Sequence, residues 1–169
     1  YYDGQFSANG LEKIKDLLCY YISGREKYQI PERILRLTDK VAERYGVRVR
    51  QIDMKNFDEE VKILLDLSNA SIIDNWGYSP VTQAEADAMA KDLKQVVQPR
   101  GVLFAEDREG TPICFAIALP DINRLLKGLN GRMFPVGWIK LLLGIPRLKS
   151  YRMFALGVIP KFHGMGIDS

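Results

Sequence analysis

The stretch LGVIPKFHGMG, residues 156–166, carries most of the information on fold and function in this sequence. It begins as an apolar run typical of a strand, continues through Pro160, and ends with two glycines on either side of Met165. Glycine adopts backbone conformations that other residues avoid, and a glycine turn after a strand presents amide N–H groups to which an anion can bind. We therefore compared this stretch with the known kinds of phosphate-binding turn.

Two of these kinds fit poorly. A dinucleotide-binding turn follows the first strand of its fold and contains a third glycine, whereas this turn comes late in the sequence and lacks that glycine. A nucleotide-binding P-loop requires Gly-Lys followed by Ser or Thr, which is missing here. A turn that holds the pyrophosphate of acetyl-coenzyme A is the third kind, and the sequence leaves it open.

The sequence around this stretch predicts alternating helices and strands. Hydrophobic periodicity, turn residues and a Thr82–Glu85 capping box support each element. In chain order we expect a buried strand at Leu17–Ile22, a helix at Pro31–Tyr45, a strand at 47–52, a helix at 56–76 that Asn56 or Asp58 can cap, a helix at Thr82–Val97, a hairpin of strands at 101–107 and 112–120, an insertion at 120–150, and a strand at 151–160.

Composition excludes several kinds of function. The 169 residues are 47% hydrophobic and 27% charged, with a net charge of only +3, which is typical of a globular protein without a nucleic-acid partner. One histidine and no Cys-x-x-Cys give no metal site. We expect Cys19 and Cys114 to be buried thiols of a reducing, cytoplasmic protein. No apolar run reaches the ~18–20 residues of a membrane span, so no membrane partner is expected.

The glycine turn and the order of elements together resemble the GNAT N-acetyltransferases. The stretches IDMKNFDEEV, NWGYSPVT and FAIALPDIN are similar to a bacterial, mostly uncharacterised subfamily whose chains carry two GNAT-like halves. The resemblance implies an α+β fold of three layers, with a mixed, largely antiparallel central sheet flanked by helices, truncated after the fourth strand and its pyrophosphate loop. Residues 1–30 would then hold the closing strand of a preceding half plus a linker, and residues 31–169 a linker helix and the front of a second half.

The function implied by this resemblance is transfer of an acetyl group from acetyl-CoA to an amine. The acceptor would be a small-molecule amine or an amino-acid-like compound of unknown identity, and no metal would take part. The alternative is a non-catalytic GNAT-like binding or interaction module. The chain would be a fragment with an incomplete site, and its first strand could pair with another copy as a homodimer or by strand exchange.

The resemblance also implies the site residues. Backbone groups of Leu156, Gly157 and Val158 would bind the pantetheine arm. The pyrophosphate would be held by Lys161, Phe162, His163, Gly164, Met165, Gly166 and Ile167. Lys161 stands where the family has glutamine or arginine, and it keeps a charge but not the planar fork of arginine.

The acceptor side is less well defined by the sequence. Trp76 and Tyr78 would border the acceptor, or else form an aromatic plug at a helix end. Glu106 and Asp121 are candidate general bases. Their structural alternatives are an exposed carboxylate at a strand end for Glu106 and a helix N-cap for Asp121.

Overall fold

The computed structural model describes residues 2–23, 29–94 and 96–168. The chain divides into two compact units, Tyr1–Pro31 and Glu32–Ser169. The described helices are α1 (Tyr2–Ala8), α2 (Glu32–Tyr45), α3 (Phe57–Ser71), α4 (Gln83–Leu93), α5 (Asn123–Leu126) and α6 (Gly137–Gly144). The described strands are β1 (Arg48–Gln51), β2 (Val102–Glu106), β3 (Pro112–Pro120) and β4 (Tyr151–Val158).

The first unit contains α1 and a segment without regular structure. Residues 11–23 form neither helix nor strand, so the prediction of a strand at Leu17–Ile22 is wrong. A strand needs a neighbour to take its backbone hydrogen bonds, and the described part of this unit contains no other strand. Cys19 is exposed rather than buried for the same reason. That residues 1–30 close a preceding half stays a prediction.

The second unit is built on a four-stranded sheet in the order β1-β2-β3-β4, in which each described pair is antiparallel. The α+β class is thereby confirmed. The predicted hairpin of β2 and β3 is also present. Its turn is closed by Asp107, whose carboxylate accepts hydrogen bonds from the amides of Glu109 and Thr111 at 3.0 and 2.9 Å.

A β-bulge interrupts the pairing of β3 with β4. Ile117 pairs with Ala155, but Ala118 pairs with Met153, so Phe154 has no partner on β3. A bulge adds one residue to one strand and increases its local twist. The bulge at Phe154 lies beside the cavity that is described below.

Of the helices α3 and α4, only α4 begins at a side-chain cap of its own. Thr82 and Glu85 form the predicted capping box of α4: the Glu85 carboxylate accepts from the Thr82 amide at 2.9 Å. The helix ends at Leu93, four residues before the predicted end. At α3 the capping side chain is Asp53, which caps a preceding 3₁₀ turn, and Asn56 makes no side-chain cap bond.

The core lies between the sheet and the pair α3 and α4. Its buried side chains are those of Ile52, Phe57, Val61, Leu67, Val102, Phe104 and Phe115. The opposite face of the sheet has a smaller cluster around Ala105 and Cys114, against which Phe162 and Ile167 pack. Cys114 is buried, as predicted.

The insertion between β3 and β4 contains α5 and α6, as the sequence predicted in outline. Its end is held by Gln98, whose side-chain amide donates to the Ile145 carbonyl at 3.1 Å and whose carbonyl accepts from the Tyr151 hydroxyl. Of the helices described, none combines the length and the apolar character needed to cross a membrane.

Candidate functional site

The glycine loop, residues 159–168, follows β4 and folds back onto the second face of the sheet. The Ile159 amide donates to the Ile113 carbonyl at 3.0 Å, which extends the pairing of the two strands. Gly164 and Gly166 then adopt left-handed conformations, with φ of +72° and +74°. In the described part of the chain their amide N–H groups donate to no backbone carbonyl. The loop therefore offers hydrogen-bond donors of the kind that an anion needs.

The other predicted residues of this loop have structural contacts of their own. The Nε2 atom of His163 lies 2.7 Å from the Val158 carbonyl oxygen, so a protonated Nε2 donates to it. The Lys161 ammonium lies 5.4 Å from the centre of the Phe162 ring. Met165 donates its amide to the Phe162 carbonyl at 3.4 Å. These contacts order the loop without a ligand, and a role in cofactor binding stays a prediction.

Gly157 has a packing role that explains why the residue is glycine. A Cβ at this position would overlap the Ser71 hydroxyl and lie 2.6 Å from the Phe115 ring. The end of α3 thus lies directly on β4. Leu156 and Val158 flank this contact, and Leu156 is exposed.

The aromatic residues after α3 separate into two kinds. The Tyr78 hydroxyl donates to the Asn69 carbonyl oxygen at 2.6 Å, and the same oxygen accepts the Val81 amide at 3.1 Å. Tyr78 therefore fixes the connection between α3 and α4. Trp76 is 63% exposed. Trp76 follows Ser71 by five residues. Ser71 is the α3 residue that contacts β4, the strand that leads into the glycine loop.

Glu106 is part of a partly buried ion-pair cluster. Arg50 donates from Nη1 to both carboxylate oxygens of Glu60, at 3.0 and 2.8 Å, and from Nε to the Glu106 carboxylate. Burial opposes the charge of Arg50, but the hydrogen bonds to Glu60 and Glu106 outweigh it and raise its pKa. The guanidinium also lies 4.5 Å from the centre of the Phe104 ring. The Glu106 carboxylate therefore holds β2 to β1, while Glu60 holds α3 to β1, and Glu106 does not line either of the cavities described below.

Asp121 lies at the opposite end of β3. Its amide donates to the Ser150 carbonyl at 2.9 Å, and its carboxylate lies 3.6 Å from Nε of Arg124. It does not cap α5, because Ile122 occupies the N-cap position. Its two chain neighbours, Pro120 and Ile122, both line a cavity.

This outer cavity is about 390 Å³ in volume and lies between α4, the end of β3, the start of β4 and the residues leading into α5. Its wall is mostly apolar, with Leu93, Leu119 and Met153 among the lining residues. The polar or charged lining side chains are Asn123 and Arg152. A concave site with an apolar wall and few polar groups is the usual form of a small-molecule site.

An inner cavity of about 100 Å³ adjoins the outer one. The two share Leu93 and Leu119 as lining residues, and every side chain that lines the inner cavity is apolar. It lies in the core between the sheet and the helices α3 and α4. The side chains of Leu93 and Leu119 thus face both cavities, one nearer the surface and one within the core.

Sequence reasoning missed both cavities, because their walls come from elements that are distant in the sequence. No local pattern in the sequence marks Arg152 as a cavity residue. Among the described residues, no cluster of His, Cys, Asp and Glu could hold a metal ion.

Comparison with known proteins gives two curated relatives, and no family model matches the chain. One is the bacterial ceramide synthase of Caulobacter vibrioides, 39% identical over 155 residues, which are 90% of this chain and 39% of the relative. The other is protein YghO of Escherichia coli, 32% identical over 160 residues, which are 94% of this chain and 40% of the relative. The chain thus spans about two fifths of the length of these relatives.

These relatives overturn the assignment to the GNAT acetyltransferases, since neither carries that name. The predicted acetyl transfer to an unidentified amine, and its alternative of a GNAT-like binding module, are wrong with it. The physical reason is that neither the glycine turn nor the order of elements is specific to that family. A pair of left-handed glycines is a common way to reverse a backbone, and an antiparallel sheet with two helices on one face serves many functions.

Proposed function

We propose that this chain is part of an enzyme that forms a ceramide-type amide. Such an enzyme transfers a long-chain acyl group to the amino group of a long-chain amino alcohol. The proposal is supported by 39% identity, over nine tenths of the chain, to a protein named bacterial ceramide synthase. The proposed reaction is still acyl transfer to an amine. Two lipid substrates replace the small acetyl group and the polar acceptor that the sequence predicted.

The observation that carries the proposal is the pair of adjoining apolar cavities. Each methylene group that leaves water contributes about 0.8 kcal/mol to binding, so a hydrocarbon chain gains affinity from a wall of leucine and methionine side chains. The inner cavity has no polar lining, which favours an alkyl chain over any polar ligand. Asn123 and Arg152 in the outer cavity supply polar groups where the reacting end of a lipid would lie.

Amide formation requires an activated acyl donor. For a thioester donor, the bond between the acyl carbon and sulfur breaks, a carbon–nitrogen bond forms, and the thiol leaves with one proton. We propose that the donor is an acyl thioester of coenzyme A. The free amides of Gly164 and Gly166 and the charge of Lys161 support a role for the glycine loop in holding its phosphates.

Asp121 is the better of the two candidate bases. Glu106 is engaged by Arg50, whereas Asp121 stands between two residues that line the outer cavity, Pro120 and Ile122, and its carboxylate lies 3.6 Å from Nε of Arg124. Its carboxylate would attract the ammonium form of the acceptor and accept a proton from the attacking amine.

We expect Asp121→Asn to lower the rate of acyl transfer by about a hundredfold, the lower limit for loss of a general base. Asp92→Asn, an exposed position on α4, is the matched control.

The proposed function is tested by incubating the protein with a long-chain acyl-CoA and a long-chain amino alcohol, with mass-spectrometric detection of the amide. Met153→Trp narrows the outer cavity and should lower the yield with long acyl chains more than with short ones. Met89→Trp adds the same bulk to an exposed part of α4 and should have no effect. If the unchanged protein and Met153→Trp gave the same ratio of long-chain to short-chain amide, the role of the cavity would be contradicted.

A cytoplasmic location stays a prediction.

A further inference from the structure

The positive charge of the chain is concentrated in the insertion between β3 and β4. The cationic segment, residues 121–150, holds six of the 24 lysine and arginine residues but only one of the 21 acidic residues, Asp121. Without this segment the chain would carry a net negative charge. The six basic residues are all exposed, and they are Arg124, Lys127, Arg132, Lys140, Arg147 and Lys149. Among the described residues, only Arg124 of these six forms an ion pair with a carboxylate.

The same segment exposes large apolar side chains. Phe134 is 82% exposed, and Met133 and Val136 beside it are also exposed. On α6, the exposed apolar residues are Trp138, Ile139, Leu142 and Leu143. At about 100° per residue these four cover an arc of about 140° on one side of the helix. Lys140 is exposed beside that arc, and Gly137 is buried on the other side.

An apolar helix face flanked by basic residues is the pattern of a segment that lies in the interface of a membrane. Tryptophan favours that interface because its ring is apolar while its N–H is polar. The segment also borders the cavity: Ile122 and Asn123 form part of the outer wall. A lipid leaving the bilayer at this segment would therefore meet the cavity at once.

We infer that the cationic segment docks on a bilayer surface that contains anionic lipids. The exposed apolar face of α6, with Phe134, enters the interface, and the basic side chains contact lipid phosphates. Charge complementarity selects this occupant: a concentrated positive charge on an apolar face fits an anionic lipid surface and would repel the same segment of a second copy. This surface contact departs from the expectation of no membrane partner, which rested on the lack of an apolar run long enough to span a bilayer. The inference rests on charge and exposure, and it does not require the proposed amide synthesis.

The experiment is co-sedimentation of the whole chain with vesicles. We expect binding to vesicles that contain phosphatidylglycerol, weaker binding to phosphatidylcholine alone, and release at high salt. Arg132→Glu with Lys140→Glu should lower the affinity for anionic vesicles by roughly tenfold or more. Lys40→Glu, at an exposed site on α2, is the charge control and should leave most of the affinity. Equal binding by the double variant and the control, or no binding to either vesicle, would overturn the inference.

A second measurement reports insertion directly. The chain has two tryptophans, so Trp76→Phe leaves Trp138 as the fluorescent residue. We expect its emission to shift to shorter wavelength on anionic vesicles, and Leu142→Ser with Leu143→Ser to abolish that shift. Leu35→Ser on the exposed side of α2 is the control. An unchanged Trp138 spectrum on vesicles that bind the protein would contradict insertion. Self-association through this face, seen by sedimentation without lipid and lost in the leucine variant, would also overturn it.

Discussion

The guanidinium of Arg50 joins three elements through two carboxylates. Glu60 is only 7% exposed, so its charge depends on the two hydrogen bonds from Arg50. We expect Arg50→Leu to lower the free energy of unfolding by about 3 kcal/mol, because it leaves a buried carboxylate without its partner. Arg36→Leu, which breaks an exposed pair with Glu32, should cost about 0.5 kcal/mol or less. Urea unfolding measures both, and equal effects would show that Glu60 is solvated in the folded chain.

The two cysteines should differ sharply in reactivity. Burial, with a smaller effect of the Asp168 charge, raises the pKa of Cys114 from 9.0 to about 11. At pH 8 its thiolate fraction is then on the order of 0.001. We expect a thiol reagent to modify exposed Cys19 rapidly and Cys114 slowly, with the Cys114 rate rising about tenfold per pH unit below its pKa. In Cys19→Ser only the slow reaction should remain, and a fast reaction there would contradict the burial of Cys114.

The raised pKa of Cys114 also makes the free energy of unfolding depend on pH. The folded thiol of Cys114 keeps its proton to a higher pH than the unfolded chain does, because the raised pKa belongs to the folded state. Unfolding therefore releases a proton between pH ~9 and ~11, and stability falls as the pH rises through that window.

At the scale of the elements, the contact between α3 and β4 depends on one glycine. We expect Gly157→Ala to destabilise the protein by about 2 kcal/mol, because the added methyl group overlaps the Ser71 hydroxyl and crowds the Phe115 ring. Ser71→Gly in the same chain should restore part of that loss. Gly128→Ala, at a site with open space around it, is the control. Thermal unfolding distinguishes these variants, and equal melting temperatures for Gly157→Ala and Gly128→Ala would refute the close packing.

The start of α4 depends on its capping box. Thr82→Ala removes the hydroxyl that accepts the Glu85 amide, and we expect a loss of about 1 kcal/mol. The hydrogen bonds from the backbone and side chain of Thr82 lower the pKa of Glu85, so this stabilisation is present at neutral pH and is lost as the pH falls through that lowered pKa. Thermal unfolding at neutral and acidic pH is the measurement. A penalty for Thr82→Ala that does not shrink at acidic pH would contradict this account.

Local signals in the sequence were enough for some elements and not for others. The Thr82–Glu85 box and the turn at Asp107 predicted their elements because each signal lies within a few residues of the structure that it specifies. The apolar run Leu17–Ile22 failed because a strand is stable only beside another strand. The cavities could not be predicted, because Leu93, Leu119 and Met153 come together only after the sheet and helices have packed.

At the scale of the whole molecule, the two units should differ in resistance to protease. Residues 11–23 lack regular structure and are largely exposed, so limited trypsin digestion should cut after Lys13 or Lys15 before it cuts inside α3. Mass spectrometry of the early fragments is the measurement. Replacing both lysines with alanine should remove these early products. Early cleavage after Lys62, in the middle of α3, would instead show that the second unit opens readily.

The sequence predicted only part of the candidate site, because the rest depends on the packing of the whole molecule. The glycine loop lies within one short stretch, so its left-handed turns could be anticipated from the sequence. The family could not be assigned from residues 156–166, because these residues specify the backbone conformation of a loop and not the substrate that the protein binds. The lipid substrates proposed above depend on the volume and polarity of an internal space, and no single stretch of sequence specifies either.

The bulge at Phe154 has a consequence for how this fold can vary. Deleting one residue from a regular strand turns every side chain beyond the deletion to the opposite face of the sheet. Phe154 stands outside the pairing, so its loss would leave the pairs Leu119–Arg152 and Ile117–Ala155 with the same partners. β4 can therefore tolerate a one-residue length difference at this single position. Homologous chains shorter by one residue here would keep the strand pairing and would lose only Phe154 from the wall of the outer cavity.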